Sequence, residues 1–169
     1  GDEVAEKIRN LLLDPANQTM CDETEAYLYA AGRAQNVRAV VRPALERGDA
    51  VVCDRFVDSS VAYQGAGRQL GMEQIAALNA MAVGETRPDI TVYLRMPADV
   101  ALSRRLSASK PDRLEPQKAD FFSRTYQAYE RLFAGQEKRV LTVNAAQSIE
   151  QVTQTMLDGL DEWLDGLEV

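Results

Sequence analysis

An α/β fold, with a parallel sheet covered by helices on both faces, is what this sequence predicts. Three observations point there. Short β-branched runs alternate with longer stretches in which apolar residues recur at helical spacing. The run Ala50-Val51-Val52-Cys53 ends in the charge pair Asp54-Arg55. In open α/β sheets, ligands bind at the carboxyl ends of strands, where such a pair would sit. The 169 residues are enough for one domain, 1–169, with a real core.

The elements follow in order. Residues 2–13 read as a helix with Val4, Ile8 and Leu11 to Leu13 on its apolar side, stopped by Asp14-Pro15. Asp22 and Glu25 resemble a capping box that opens a long helix to about Arg47. Its expected apolar stripe is Tyr27, Ala31, Ala34, Val37, Val41 and Leu45, and Gly48 is its expected C-cap. Residues 50–54 read as a buried strand. Residues 57–66 and 72–83 read as helices, the second with Ile75, Leu78, Asn79 and Ala82 in phase. Arg87-Pro88-Asp89 is a turn, and 90–94 a strand. Pro97 opens a helix through Leu106. Residues 107–116 are polar and irregular, and a helix follows to about Phe133. Residues 140–143 form the last strand. The final helix, 148–167, has the stripe Ile149, Val152, Met156, Leu160 and Trp163. Three strands are few for so many helices, and the chain opens within a helix.

Composition narrows the function. Nineteen basic against 26 acidic residues give a net charge of −7, a poor footprint for nucleic acid. No apolar run approaches membrane-spanning length, so no membrane partner is expected. Cys21 and Cys53 are too few for a disulfide framework and read as reduced thiols of a cytoplasmic protein. Histidine is absent, which removes the usual general base and most zinc sites. Arginine outnumbers lysine, 15 to 4. Genome composition or bidentate phosphate binding would each explain that.

The segment Asp54 to Gly65 concentrates candidate chemistry. Asp54 suits Mg²⁺, and Arg55 a phosphate; the alternative is a salt-bridged pair at a strand end. Ser59, Ser60, Tyr63 and Gln64 follow on a helical turn, as recognition groups or as surface residues. Tyr29 and Arg33, four apart, share a helix face. They could stack on a base and hydrogen-bond its edge, or form a cation–π pair. Arg104, Arg105, Lys110 and Arg113 lie in or beside 107–116, as a mobile lid over phosphates or a solvated basic loop. Phe121, Phe122, Tyr126, Tyr129, Trp163 and the methionines are expected in the core.

Taken together, these residues resemble the thymidylate kinase family of P-loop nucleoside-monophosphate kinases. The resemblance rests on DRFVDSSVAYQGAGR at 54–68, AYLYAAGRAQ at 26–35, AEKIRNLLLDP at 5–15, GETRPDITVYL at 84–94, DRLE at 112–115 and NAAQSIEQV at 144–152. It implies ATP-dependent phosphorylation of dTMP to dTDP, with Mg²⁺ as cofactor, on a P-loop NTPase-like fold. It implies that Tyr29 stacks on thymine and Arg33 bonds the base. Arg9 and Arg55 would hold the monophosphate, and Asp54 would stand near Mg²⁺. Ser59, Ser60, Tyr63 and Gln64 would complete the nucleoside pocket, and Arg113 in the lid segment 107–116 would act on the transferred phosphoryl group. A homodimer is expected from the family and from the helices at 22–47 and 72–83.

The acceptor, a phosphate ionised at neutral pH, needs no general base, so the lack of histidine is no obstacle. The Gly-x-x-x-x-Gly-Lys-Ser/Thr loop does not occur in the sequence. The family places it, with its first strands, ahead of the point where these residues begin, so they are expected to be part of a longer polypeptide. Arg95 stands where the family often has an acidic or neutral residue. A nucleotide-binding protein without catalysis, or a kinase for another nucleoside monophosphate, is the alternative.

Overall fold

The computed structural model describes residues 2–97, 99–101, 103–104 and 119–167. They fall into two compact units. The first holds the described residues up to Arg87, with 119–129; the second holds 88–104 and 130–167.

In the first unit, α1 (Glu3–Leu13) begins where the Asp2 carboxylate accepts the N–H groups of Val4 and Ala5, at 2.9 and 3.1 Å. It ends at Asp14-Pro15, as expected, and buries Leu12. It packs along α2 (Asp22–Asn36), which continues through a π-helical turn, Val37–Val41, into α3 (Arg42–Glu46). Gly48 follows in the left-handed conformation expected of a helix terminator, φ 84°.

Two details of α2 differ from expectation. Cys21, not Asp22, occupies the N-cap, and Glu25 turns inward instead of closing a capping box. The expected stripe is also displaced. Tyr27 is 63% exposed and Leu45 is exposed, while Ala26, Ala30, Val37 and Val41 are buried. The reason is Glu25 itself, which is 0% exposed. A pattern of apolar spacing excludes a glutamate from the inner face and so rotates the helix by about one residue.

Residues 50–54 form no strand, and Val52 is 98% exposed. A strand exists through its ladder, and among the described residues none pairs with this segment. Cys53, expected inside a buried strand, is exposed with it.

Helix α4 (Val57–Ser60) runs into a π-helical segment, Val61–Gly67, and α5 (Met72–Val83) folds back on it. Gly65 permits that return: a Cβ there would lie 2.9 Å from the Met72 Cα. Gly67 faces the Phe121 ring, which would meet a Cβ at 2.6 Å. Phe121 lies on α6 (Ala119–Phe133) and is buried as expected. Arg124, one turn on, donates to the Gly67 and Ala66 carbonyls at 2.8 and 3.3 Å. These carbonyls end a helical segment, where a cation is favoured. Met81, expected in the core, is 82% exposed.

The second unit carries the sheet. β1 (Thr91–Arg95) and β2 (Val140–Asn144) pair in parallel, with register running from Thr91 opposite Val140 to Arg95 opposite Asn144. Val140 and Val143 are buried. α7 (Ile149–Asp165) starts at a complete capping box between Ser148 and Gln151 and packs on β2. Ile149 is exposed, while Val152, Met156, Leu160 and Trp163 are half-buried. Arg95 forks onto both carboxylate oxygens of Glu130, which also accepts from the Tyr93 hydroxyl at 3.1 Å. The unusual arginine after the strand thus has a partner. Arg104 donates to the Ala145 carbonyl at 2.9 Å, so one of the arginines beside the expected lid is committed to the loop after β2.

The polar centre of the first unit is a buried fork. Arg68 Nε and Nη2 donate to Glu25 Oε1 and Oε2 at 3.1 and 2.9 Å, and Gln64 Nε2 donates to Oε1 at 3.0 Å. Both charges are nearly out of water, so losing one strands the other. Glu25→Ala should cost about 3–5 kcal/mol in denaturant unfolding. Adding Arg68→Ala should cost much less than the sum of the single changes. Additive losses would show that the two side chains do not depend on each other.

Candidate functional site

Within the first unit, Arg33 joins three segments. Its Nη1 donates to Asn79 Oδ1 on α5. Its Nη2 donates to the Phe56 carbonyl at 3.2 Å and to Ser60 Oγ at 2.9 Å. None of these partners is a carboxylate. Burial brings its pKa down to about 10, against the opposing influence of Tyr29 and Cys53. The guanidinium stays charged at neutral pH and is stabilised only by neutral acceptors. Tyr29, one turn earlier on the same face of α2, is half-buried. Cys53, beside Arg33, has its thiol pushed up by burial, with Arg33 drawing it back.

Arg55 adopts a left-handed backbone, φ 65°. A non-glycine residue there carries strain of order 1–3 kcal/mol. Its guanidinium lies over the Tyr63 ring, 4.8 Å from the centroid. Burial works against its charge, but Tyr63, Tyr129 and Asp54 more than offset this and raise its pKa. Asp54 is exposed beside it. Among the described residues no cluster of three or more acidic, thiol or imidazole groups could hold a metal ion. A lone carboxylate still suits Mg²⁺, which is commonly held by one or two carboxylates plus phosphate oxygens.

Both serines have partners. Ser60 receives Arg33, and Ser59 Oγ lies 2.8 Å from the Tyr129 hydroxyl. Tyr63 meets Phe121 and Tyr129 edge-on, at 5.9 and 6.4 Å between ring centroids. Gln64 is buried with its amide nitrogen on Glu25. The fold therefore gathers Arg33 with Ser60, Arg55 with Tyr63, and Ser59 with Tyr129. Arg9 stands apart: it is exposed on α1, with no hydrogen bond or ion pair to a described residue. Arg113, Arg105, Lys110 and the segment 107–116 lie outside the described residues.

Two members of the cluster escaped the sequence reading. Tyr129 was expected as core; only its pairing with Ser59 reveals it. Asn79 was placed in the apolar phase of its helix. An asparagine in that phase is itself a signal, because a buried amide must find partners. The assembly offers fixed hydroxyls, an aromatic ring and two guanidinium groups without a buried carboxylate partner. Such a set can bind a carbonyl edge and an anion.

Comparison with known proteins agrees with this chemistry. The family model described as thymidylate kinase matches residues 1–156. A thymidylate kinase of Lactobacillus delbrueckii subsp. bulgaricus is 46% identical over 154 residues, covering 90% of this chain and 73% of the relative. One from Pseudomonas fluorescens is 43% identical over 165 residues, 98% of this chain and 79% of the relative. One from Alcanivorax borkumensis is 43% identical over 162 residues, 96% of this chain and 78% of the relative.

The Tyr129 phenol gives a pH test. Burial raises its pKa, and Tyr63 and Asp58 add to this, while Ser59 and Arg55 oppose it. The unfolded chain then ionises first, so folding loses stability as pH rises past about 10. Tyr129→Phe removes that loss. The stability of the variant relative to the parent should improve between about pH 9 and 11. A pH-independent difference in thermal unfolding would show that the phenol titrates normally.

Proposed function

The chain belongs to the thymidylate kinase family, and on that premise we propose that it catalyses ATP-dependent phosphorylation of dTMP to dTDP. The observation that carries this is the family match over residues 1–156. The family's fold is the α/β P-loop NTPase architecture, to which the parallel strands and their helices conform. The enzyme is a phosphotransferase of deoxynucleotide biosynthesis, with ATP as donor.

In this reading, Tyr29 stacks on thymine and Arg33 donates to the base edge. Ser59, Ser60 and Tyr63 line the nucleoside pocket, with Gln64 holding its wall through Glu25. Arg55 and Arg9 bind the monophosphate. The acceptor oxygen is already ionised, so the chain's task is positioning and charge neutralisation, without a proton acceptor. Arg113 supplies positive charge to the transferred phosphoryl group from the segment 107–116. Mg²⁺, held through Asp54, supplies charge neutralisation on the phosphate oxygens when bound.

The exposed apolar residues Tyr27, Leu45 and Met81 support a homodimer through this side of the first unit. The free thiols of Cys21 and Cys53 suit a reducing, cytoplasmic setting.

Turnover with dTMP, dUMP, dCMP and dGMP as acceptors tests the reaction. dTMP should be the best, and preference for another would overturn the substrate assignment. Roles divide in a second measurement. Arg55→Ala should weaken dTMP binding in calorimetry by about 1.5–3 kcal/mol. Arg113→Ala should instead lower kcat with dTMP affinity nearly unchanged. The reverse pattern would exchange the two roles.

A further inference from the structure

We infer that Asn79 is the positioning residue that makes Arg33 selective for an acceptor base with a carbonyl at the position where cytosine has an amine. The inference rests on the reading of Arg33 as the base-binding residue.

Asn79 is 1% exposed and sits among the apolar positions of α5. Its amide nitrogen donates to the Ile75 carbonyl at 2.8 Å, one helical turn back. Its amide oxygen accepts from Arg33 Nη1. Each end of the amide has the partner its chemistry demands. Turning the group over would set its NH₂ against a guanidinium and its oxygen against a carbonyl. The oxygen is thus locked toward Arg33, and a backbone bond on rigid α5 holds it there.

That lock matters because the other contacts leave Arg33 one freedom. The Phe56 carbonyl and Ser60 Oγ both take protons from Nη2. Two bonds at one nitrogen let the plane pivot about that nitrogen. The bond from Nη1 to Asn79 stops the pivot. Of the five guanidinium N–H groups, the Nε–H and the second on Nη1 have no acceptor among the described residues. Every buried side-chain nitrogen or oxygen described has a partner, so the unused Nε is open to an incoming group. A base carbonyl fits such a donor; an exocyclic amine, itself a donor, is opposed by it. A guanidinium free to pivot would turn away from the amine and lose the distinction. Asn79 acts through Arg33 and need not touch the substrate.

The test uses calorimetry with dTMP and dCMP as ligands, on the full chain. Asn79→Leu keeps the volume and removes the acceptor. It should weaken dTMP binding about tenfold and shrink the dTMP-over-dCMP preference by a similar factor. Asn79→Asp keeps an oxygen facing Arg33 and should hold the preference within about threefold of the parent, even where thermal unfolding shows a loss of stability. In an Arg33→Met background, Asn79→Leu should change the preference no further. Two outcomes overturn the inference while the parent still prefers dTMP. Asn79→Leu may bind both ligands as the parent does, or the Leu and Asp variants may lose the preference equally, which leaves Asn79 a packing role alone. A parent that does not bind dTMP overturns the assignment of function itself, and this inference with it.

Discussion

The first unit depends on the burial of one carboxylate. Glu25 is wholly out of water and takes three hydrogen bonds from Arg68 and Gln64. An unpaired carboxylate there would be intolerable, so α2 can seat only where the segment after Ser60 supplies those donors. The same helix face then fixes everything else. Glu25, Tyr29 and Arg33 are spaced by four, so they lie one above another along α2. The first anchors the helix to the end of the 54–68 segment, and the last bonds near its start. Tyr29 lies between these two tethers.

The two arginines on this segment's partners differ in a way that separates structure from function. Arg68 is matched by Glu25 and assisted by Asp22, at 3.2 Å. Arg33 is held by an amide, a hydroxyl and a backbone carbonyl, and burial lowers its pKa. A charge satisfied in the apo protein has little left for a ligand. A charge kept partly unsatisfied, in a site that holds it still, retains binding capacity.

Much of this was legible in the sequence, and the failures share causes. Helices with strong punctuation were read to within a residue or two: Asp2 and Pro15 bound the first, Gly71 and Gly84 the fifth, and Ser148 opens the last. The run at 50–54 failed because strand propensity is local and a ladder is not; Val51 and Val52 have no described partner to pair with. The α2 stripe failed because a buried glutamate violates the rule used to find it. Within the site, the motif residues 54–64 and the pair Tyr29 and Arg33 could be picked out by spacing. Asn79 and Tyr129 come from distant helices, and only folding brings them to Arg33 and Ser59. The partner of Arg95, 35 residues away, was hidden for the same reason.

The π-helical segment at 61–67 sets a further condition on the family's variability. A π turn is an α-helix carrying one residue more than its pitch can hold. Here the extra residue lies between Ser60, which receives Arg33, and Gly65, which admits α5. Substitutions along the segment alter one contact at a time. Removing a single residue would restore ordinary α geometry and turn all that follows by about 100°. Gln64 and Arg68 would then swing off Glu25 together. The length of this segment is therefore under tighter constraint than most of its letters, and a gap there would be harder to absorb than several substitutions.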